Sequence, residues 1–136
     1  LIADLQARRS VLPLGGAYAK VADSVLEADA GAAAAEVRMA RLLSLRSIER
    51  SGGDCSPLVE SAIAKIFSSE LSQRLTEAAI DIFGPAAMLD TPSDEAIANG
   101  LIGQLLRRSI MMVVGGGSNE IQRNVIALRG LNLPAC

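Results

Sequence analysis

The 136-residue sequence contains no histidine and no tryptophan, and its only aromatic residues are Tyr18, Phe67 and Phe83. Because histidine is the commonest general base, any acid–base chemistry in this chain falls to carboxylates or lysines. The two cysteines, Cys55 and Cys136, form no CxxC motif, which excludes an ordinary zinc site, and we expect no metal. Such sparing use of thiols is typical of a reducing compartment, so we expect a cytoplasmic protein.

Long apolar runs and runs of one charge are also missing. The chain has 13 basic and 15 acidic residues for a net charge of -2, with no basic stretch, so we expect no nucleic-acid partner. No apolar segment reaches the length of a bilayer, so we expect no membrane span. What is abundant is small and aliphatic: 50% of the residues are apolar and only 2% aromatic, a composition that favours packed helices.

Hydrophobic periodicity predicts a series of helices and no convincing strand. The expected elements are a short helix before Pro13, helices over 18–28 and 32–50, a long helix from N-cap Ser56 to Phe83, a helix over 96–113, and a last helix from Ser118 or Gly117 to Gly130. In the long helix, Pro57 takes the first helical position and Gly84-Pro85 ends the element. Its predicted apolar stripe is Ile63, Ile66, Phe67, Leu71, Leu75, Ala79 and Phe83. We therefore predict an all-α, antiparallel four-helix-type bundle forming a single domain over residues 1–136.

The stretch VVGGGSNEIQRN, residues 113–124, places three consecutive glycines between two predicted helices. Three interpretations are open on the residues alone. The loop is a tight corner, or its N–H groups bind phosphate at a helix start, or its side-chain-free backbone lies against a flat cofactor ring. In the last case Ser118 and Asn119 supply hydrogen-bonding groups. Neither a P-loop nor a GxGxxG fingerprint is present.

Two segments resemble one known family. The run GGGSNEIQRNVIALRGLNLP, which begins at Gly115, is similar to the C-terminal motif of acyl-CoA dehydrogenases, a Gly-[Ser/Thr]-x-x-Ile-Gln-Arg segment that opens the last bundle helix. The run AIAKIFSSELSQRLTEAAIDIFGP, residues 62–85, resembles the family's long bundle helix and its Gly-Gly loop. The resemblance implies the C-terminal helical domain of a longer three-domain flavoprotein, and we expect this chain to be such a fragment.

The resemblance also implies a function: FAD as cofactor, an acyl-CoA substrate oxidised at its α–β bond, and an electron acceptor flavoprotein as partner. It implies a homo- or hetero-oligomer formed through the helical bundle, in fatty acid or sterol catabolism. By position, Gly117, Ser118, Asn119 and Glu120 are expected to line the flavin and thioester pocket. The loop after the long helix, with Asp81 and Gly84, corresponds to a segment that reaches the FAD of a neighbouring subunit. The fragment alone is expected to be inactive.

The sequence departs from the family pattern at the position of the base. Gly116 stands where many relatives carry the glutamate that removes the substrate's α-proton, so no catalytic residue is identified. Either the base lies on an upstream helix, or the chain is a non-catalytic structural subunit or oligomerisation module of a heteromeric acyl-CoA dehydrogenase. Glu120 is an alternative base, but a helix N-terminus lowers the pKa of a nearby acid, which favours an ionised capping residue.

A second departure affects the loop after the long helix. Asp81 and Pro85 stand where a glutamine and a second glycine are common. Pro85 has no backbone donor, and Asp81 places a negative charge near a diphosphate-bearing cofactor. Both changes weaken the expected contact with a neighbour's FAD.

Overall fold

The computed structural model describes residues 16–51, 57–89 and 96–134, and all regular structure within them is helical. The α-helices are α1, Gly16–Ser51; α2, Leu58–Phe83; α3, Leu101–Val114; and α4, Asn119–Val125. Two 3-10 turns, Gly84–Met88 and Ile97–Gly100, lie between α2 and α3, and the π-helical turn Ile126–Gly130 follows α4. The predicted all-α fold is confirmed, whereas the predicted helix before Pro13 and the predicted cap Ser56 lie outside the described residues.

The chain divides into two compact units, residues 1–37 and 38–136. In the first unit, the described residues belong to α1. The helices predicted over 18–28 and 32–50 are one continuous helix, so the expected break between them was wrong. Gly31 is exposed inside this helix, where a glycine costs only about 1 kcal/mol relative to alanine. Four alanines follow it directly, and their high helix propensity offsets that cost.

Helix α2 is the long helix expected from the sequence, and it starts one residue later than predicted. Leu58 is its first residue, and the carbonyl of Pro57 accepts a hydrogen bond from the N–H of Ser61 at 2.8 Å. The helix ends at Phe83 because Gly84 has a φ of 64° and donates its N–H to the Ile80 carbonyl. Left-handed backbone of this kind is strained for other residues, so the glycine terminates the helix as predicted.

The centre of the second unit is α2, which packs most extensively against α3 and next against α4. Helices α2 and α3 are antiparallel, since Lys65 near the start of α2 contacts Val113 near the end of α3. At the opposite end a small apolar core forms around Ala87 and Ile102, with Ala79, Ile80, Phe83 and Ala86 against it. A Cβ on Gly103 would lie 3.4 Å from the Met88 carbonyl oxygen, so α3 approaches the first 3-10 turn closely.

The buried face of α2 differs from the predicted stripe. Leu71 is buried, but Ile63 is exposed, and the other stripe residues are only half-buried. The remaining buried positions carry small side chains: Ala62, Ala64, Ser69 and Thr76. The distance between packed helices depends on the side chains at their contact, so small residues occupy the places where α3 and α4 approach α2 most closely.

Many large apolar side chains of the second unit face outward. On α1 they are Met39, Leu42, Leu45 and Ile48, and on α3 they are Leu101, Leu105, Ile110, Met111, Met112 and Val114. Residues 38–51 of α1 contact α2 near their connected ends through a Ser47–Ser61 hydrogen bond of 2.8 Å and an Arg50–Glu60 ion pair of 2.7 Å. None of the described helices has the length and apolar character needed to cross a membrane.

Candidate functional site

The three glycines after α3 form a loop of exposed main chain, here called the glycine loop, residues 115–117. Gly115 is extended and donates its N–H to the Met111 carbonyl at 2.8 Å, which closes the last turn of α3. Gly116 and Gly117 have φ angles of 70° and 91°. Both angles lie in the left-handed region that side chains disfavour, so the conformation depends on glycine at these two positions.

The space around the two left-handed glycines differs. A Cβ on Gly117 would lie 2.8 Å from Nε2 of Gln122, whereas a Cβ on Gly116 would meet nothing within 4 Å. Gln122 holds the loop by donating Nε2–H to the Gly116 carbonyl at 3.0 Å. A side chain at position 116 would therefore point into open space, and this chain leaves that space empty.

Ser118 begins the helix that follows the loop, as the sequence predicts. Its Oγ accepts a hydrogen bond from the Ile121 N–H at 3.4 Å, the usual arrangement of a serine N-cap. Glu120 lies in the first turn and is exposed. A backbone hydrogen bond, followed by one from Ser118, holds the pKa of Glu120 below its ordinary value. The first turn of a helix favours an ionised carboxylate, so the surroundings of Glu120 fit the capping role.

Asn119 turns its side chain into the protein and is only 1% exposed. Its Oδ1 accepts a hydrogen bond from Nζ of Lys65 at 2.6 Å. Its Nδ2 donates to Oγ of Ser69 at 3.1 Å and to Oε1 of Glu70 at 3.3 Å. The Ser69 hydroxyl donates to the Ile66 carbonyl at 3.0 Å or to Oδ1 of Asn119 at 3.2 Å. The Asn119 amide is thus satisfied by α2, which leaves only its main chain for other contacts.

Lys65 connects both sides of the glycine loop. Besides Asn119, its ammonium donates to the Val113 carbonyl at 2.9 Å, one of the last carbonyls of α3, which have no partner within the helix. A positive charge is favourable at this position because the C-terminus of a helix carries partial negative charge. One side chain of α2 therefore bonds to the residue two positions before the loop and to the residue two positions after it.

An ion pair fixes the next turn of α4 to α2. The Arg123 guanidinium donates to Oε1 of Glu70, the atom that also accepts from Asn119, and lies 3.7 Å from Glu120. Beside the loop, an open groove of about 430 Å³ is lined by Ser44, Ala64, Lys65, Ser68, Ser69, Met111, Met112 and Gly115. The first residue of the glycine loop, Gly115, thus lines the groove together with residues of α2.

The second predicted site, with Asp81 and Gly84, lies at the other end of α2. Lys65 and Gly84 are 19 residues apart in the sequence, roughly 28 Å along a helix axis at about 1.5 Å per residue. Asp81 is exposed and Gly84 is partly buried. The structure does not bring these residues together with Gly117, Ser118, Asn119 and Glu120, so within one chain they are two separate places.

Sequence reasoning missed the polar residues of α2 that hold the loop: Lys65, Ser69 and Glu70. Their partners lie about 50 positions further along the chain, and helical periodicity carries no information about such contacts. One signal was available. Lys65 and Ser69 are spaced i, i+4, which places two polar groups on the face of α2 that also carries the buried alanine Ala62.

Comparison with known proteins agrees with this fold and motif. Residues 19–131 match the model of the family "Acyl-CoA dehydrogenase, C-terminal domain". Acyl-CoA dehydrogenase FadE26 of Mycobacterium tuberculosis is 31% identical over 91 residues, which is 66% of this chain and 23% of that protein. FadE29 of the same organism is 31% identical over 84 residues, or 62% of this chain and 21% of the relative.

Solved structures are similar in fold. The Tcur3481-Tcur3483 steroid ACAD superposes with a TM-score of 0.78 over 98% of this chain and 33% of its own, at 24% identity. Its G363A variant gives a TM-score of 0.74 at 25% identity, over 81% of this chain and 29% of its own. The ChsE4-ChsE5 complex from Mycobacterium tuberculosis superposes with a TM-score of 0.67 at 26% identity, over 75% of this chain and 26% of its own.

The present chain spans less than a quarter of the length of these curated relatives. The family match extends over most of the chain and includes both the long helix α2 and the glycine loop. On this evidence the chain belongs to the acyl-CoA dehydrogenase family and corresponds to its C-terminal helical domain.

Proposed function

We propose that this chain is the C-terminal domain of a longer, three-domain, FAD-dependent acyl-CoA dehydrogenase, and that its glycine loop forms part of the flavin and acyl-CoA pocket. The observation that carries the proposal is the exposed, side-chain-free main chain of residues 115–117, with two left-handed glycines. Such a backbone lets a flat ring approach without collision. The family match over residues 19–131 supports the proposed kind of domain.

The residues present fit a flavin at this place, because residues 115–117 carry no side chains and the space beside Gly116 is open. Gly117 and Gly116 would face the cofactor, and the Ser118 hydroxyl would be available to a cofactor oxygen or nitrogen next to its capping bond. Asn119 would contribute its main chain only, since α2 uses its amide. Bound FAD would supply the hydride acceptor for oxidation of an acyl-CoA.

The proton of the substrate's α-carbon must be accepted by a group other than residue 116. Gly116 has no side chain, and the pKa of Glu120 is lowered rather than raised. The base of the complete enzyme is therefore proposed to lie on an upstream helix of the same protein or on a partner subunit. What the loop contributes is binding and orientation, not proton transfer.

We further propose that the complete protein is an oligomer assembled through the bundle. Contiguous exposed apolar surface is typical of protein interfaces, and the outward apolar residues of α1 and α3 are candidates for that contact. In such an assembly Asp81 and Gly84 would lie near the FAD of a neighbouring subunit. An electron acceptor flavoprotein would then reoxidise the enzyme.

Steroid-bearing acyl-CoA thioesters are the substrate class to test first. One structural neighbour at 25% identity is named a steroid ACAD. The open groove beside the loop is the surface on which we propose that the acyl group lies. Met111, Met112 and Ala64 give it an apolar lining suited to a hydrocarbon skeleton.

The experiment is to purify the full-length protein and record its absorbance spectrum. We expect bound flavin, and bleaching of the flavin band when a steroid-bearing acyl-CoA is added without an electron acceptor. A fatty acyl-CoA of similar mass serves as the substrate control. Protein that purifies without flavin and takes up none when FAD is added would contradict the proposal.

A second function is favoured by Gly116: the chain is a domain of a non-catalytic subunit in a heteromeric acyl-CoA dehydrogenase. Solved neighbours include a complex of two named chains, ChsE4 and ChsE5. In this case the protein would bind flavin only together with its partner subunit. Flavin retained by the protein expressed alone, with acyl-CoA-dependent dye reduction, would exclude this second function.

A further inference from the structure

We infer that Lys65 is a positioning residue for the flavin site, because its ammonium sets the conformation of the glycine loop from both ends. The inference rests on the proposed function, in which this loop lies against FAD. Lys65 lies on α2, outside both the glycine loop and helix α4, which follows the loop. Lys65 also lines the groove beside the loop, and the role inferred here is the one it has through Val113 and Asn119.

The first step is geometric. The Lys65 ammonium is 2.9 Å from the Val113 carbonyl oxygen and 2.6 Å from Oδ1 of Asn119. Only residues 114–118 lie between these two anchors. The end of α3 and the start of α4 are therefore held to the same charged group, and the intervening backbone must span a fixed distance.

The second step is that few other hydrogen bonds fix the backbone conformation of the glycine loop. Three glycines have more conformational freedom than any other tripeptide, so their own sequence does not select one shape. Within the loop the bonds are the Gly115 N–H to Met111 and the Gln122 amide to the Gly116 carbonyl. The first bond joins the loop to α3 alone and the second joins it to α4 alone. Lys65 bonds through one ammonium group to the end of α3 and to the start of α4, the two helices that the loop connects.

The third step concerns replacement of the lysine. If Lys65 is replaced by methionine, the Val113 carbonyl loses its partner, and Asn119 keeps Ser69 and Glu70. Helix α4 then keeps its other bonds to α2, while the end of α3 loses its hydrogen bond to Lys65. Arginine at position 65 keeps a positive charge and more than one N–H donor, and is expected to preserve both anchors in part.

The experiment compares wild type with Lys65→Met, Lys65→Arg and the control Leu71→Ala. Leu71 is buried in α2 and has no part in the polar network, so its replacement lowers stability without touching the loop. Two quantities are measured on the full-length protein. The first, called loop exchange, is amide hydrogen exchange without cofactor in a peptide covering residues 111–115, whose N–H groups close the last turn of α3 at the start of the loop. The second is the Kd for FAD, recorded with the flavin absorbance spectrum.

The expected result is that Lys65→Met raises loop exchange and the Kd for FAD by about tenfold each, a change equal to the loss of about one hydrogen bond. The flavin band should also shift, since the loop no longer presents the same surface. Lys65→Arg should recover most of both changes. Leu71→Ala should alter neither beyond about twofold, although it lowers the melting temperature.

The proposed function and the positioning role of Lys65 fail on different results. If wild type binds no FAD, with or without a partner subunit, the proposed function fails, and loop exchange alone then decides whether Lys65 fixes the loop. If wild type binds FAD and Lys65→Met leaves exchange and Kd unchanged, the positioning role is overturned. It is equally overturned if Leu71→Ala produces the same changes, or if the loop opens in Lys65→Met while the Kd for FAD stays constant.

Discussion

Replacement of Asn119 by alanine tests the buried network between α4 and α2. The substitution removes a hydrogen bond to the Lys65 ammonium at 2.6 Å and another to Ser69 at 3.1 Å. A hydrogen bond to a charged group contributes about 1.5–3 kcal/mol, and a neutral one about 0.5–1.5 kcal/mol. The contact with Glu70 is left out of the sum because it is long, at 3.3 Å, and because its carboxylate oxygen also accepts from Arg123.

The partners of Asn119 are not left unsatisfied by this change. Lys65 keeps the Val113 carbonyl, Ser69 keeps the Ile66 carbonyl, and Glu70 keeps Arg123. The penalty for an orphaned buried group therefore does not apply. We expect Asn119→Ala to reduce the free energy of unfolding by about 3 kcal/mol, the sum of the two main bonds.

The assay is urea unfolding of the chain followed by far-UV circular dichroism. Asn124→Ala is the matched control, since Asn124 is an exposed asparagine on the same helix, where substitutions change stability by only about 0.5 kcal/mol. A loss of less than about 1 kcal/mol for Asn119→Ala, or an equal loss for the control, would refute the claim that this amide fastens α4 to α2.

Three further outcomes follow from single positions. Gly117→Ala should lower the urea midpoint by the equivalent of about 1–2 kcal/mol, since a Cβ there would lie 2.8 Å from Nε2 of Gln122 at a φ of 91°; an unchanged midpoint contradicts this. Gly31→Ala, in an open helical position, should raise stability by about 0.5–1 kcal/mol, and destabilisation would show that α1 is not helical there. Glu120→Gln should lower the melting temperature at neutral pH. Because the folded-state pKa of Glu120 is depressed below its ordinary value of 4.5, this stabilisation is present above that value and is lost as the pH falls through the folded-state pKa. An NMR titration that finds a pKa above 4.5 would contradict the capping role.

Local signals predicted the helix boundaries near the site well. Ser118 or Gly117 was expected as N-cap and the structure has Ser118, and Gly84 ends α2 as expected. Each of these features depends on one or two residues and their own backbone angles, which the residue type largely determines. The same reasoning failed at Gly31, where the cost of one glycine is smaller than the summed helix propensity of its alanine-rich surroundings.

Contacts between distant residues could not be predicted in the same way. The apolar stripe of α2 suggested that large side chains form the core, but the helices meet over small residues such as Ala62 and Ala64. Asn119 was predicted to bind the cofactor from its place in the family motif, and the structure shows that its amide faces Lys65 and Ser69, so that prediction now concerns its main chain. The sequence shows that a residue is polar, and only the packing of α4 on α2 shows which way it points.

The central claim is that the main chain of residues 115–117 lies against the flavin. The most direct measurement is a structure of the full-length protein purified with its cofactor. The proposal predicts that backbone atoms of Gly116 and Gly117 lie within about 4 Å of FAD, in van der Waals contact. A bound FAD with no atom in contact with this loop, from either its own subunit or a neighbouring one, would contradict it.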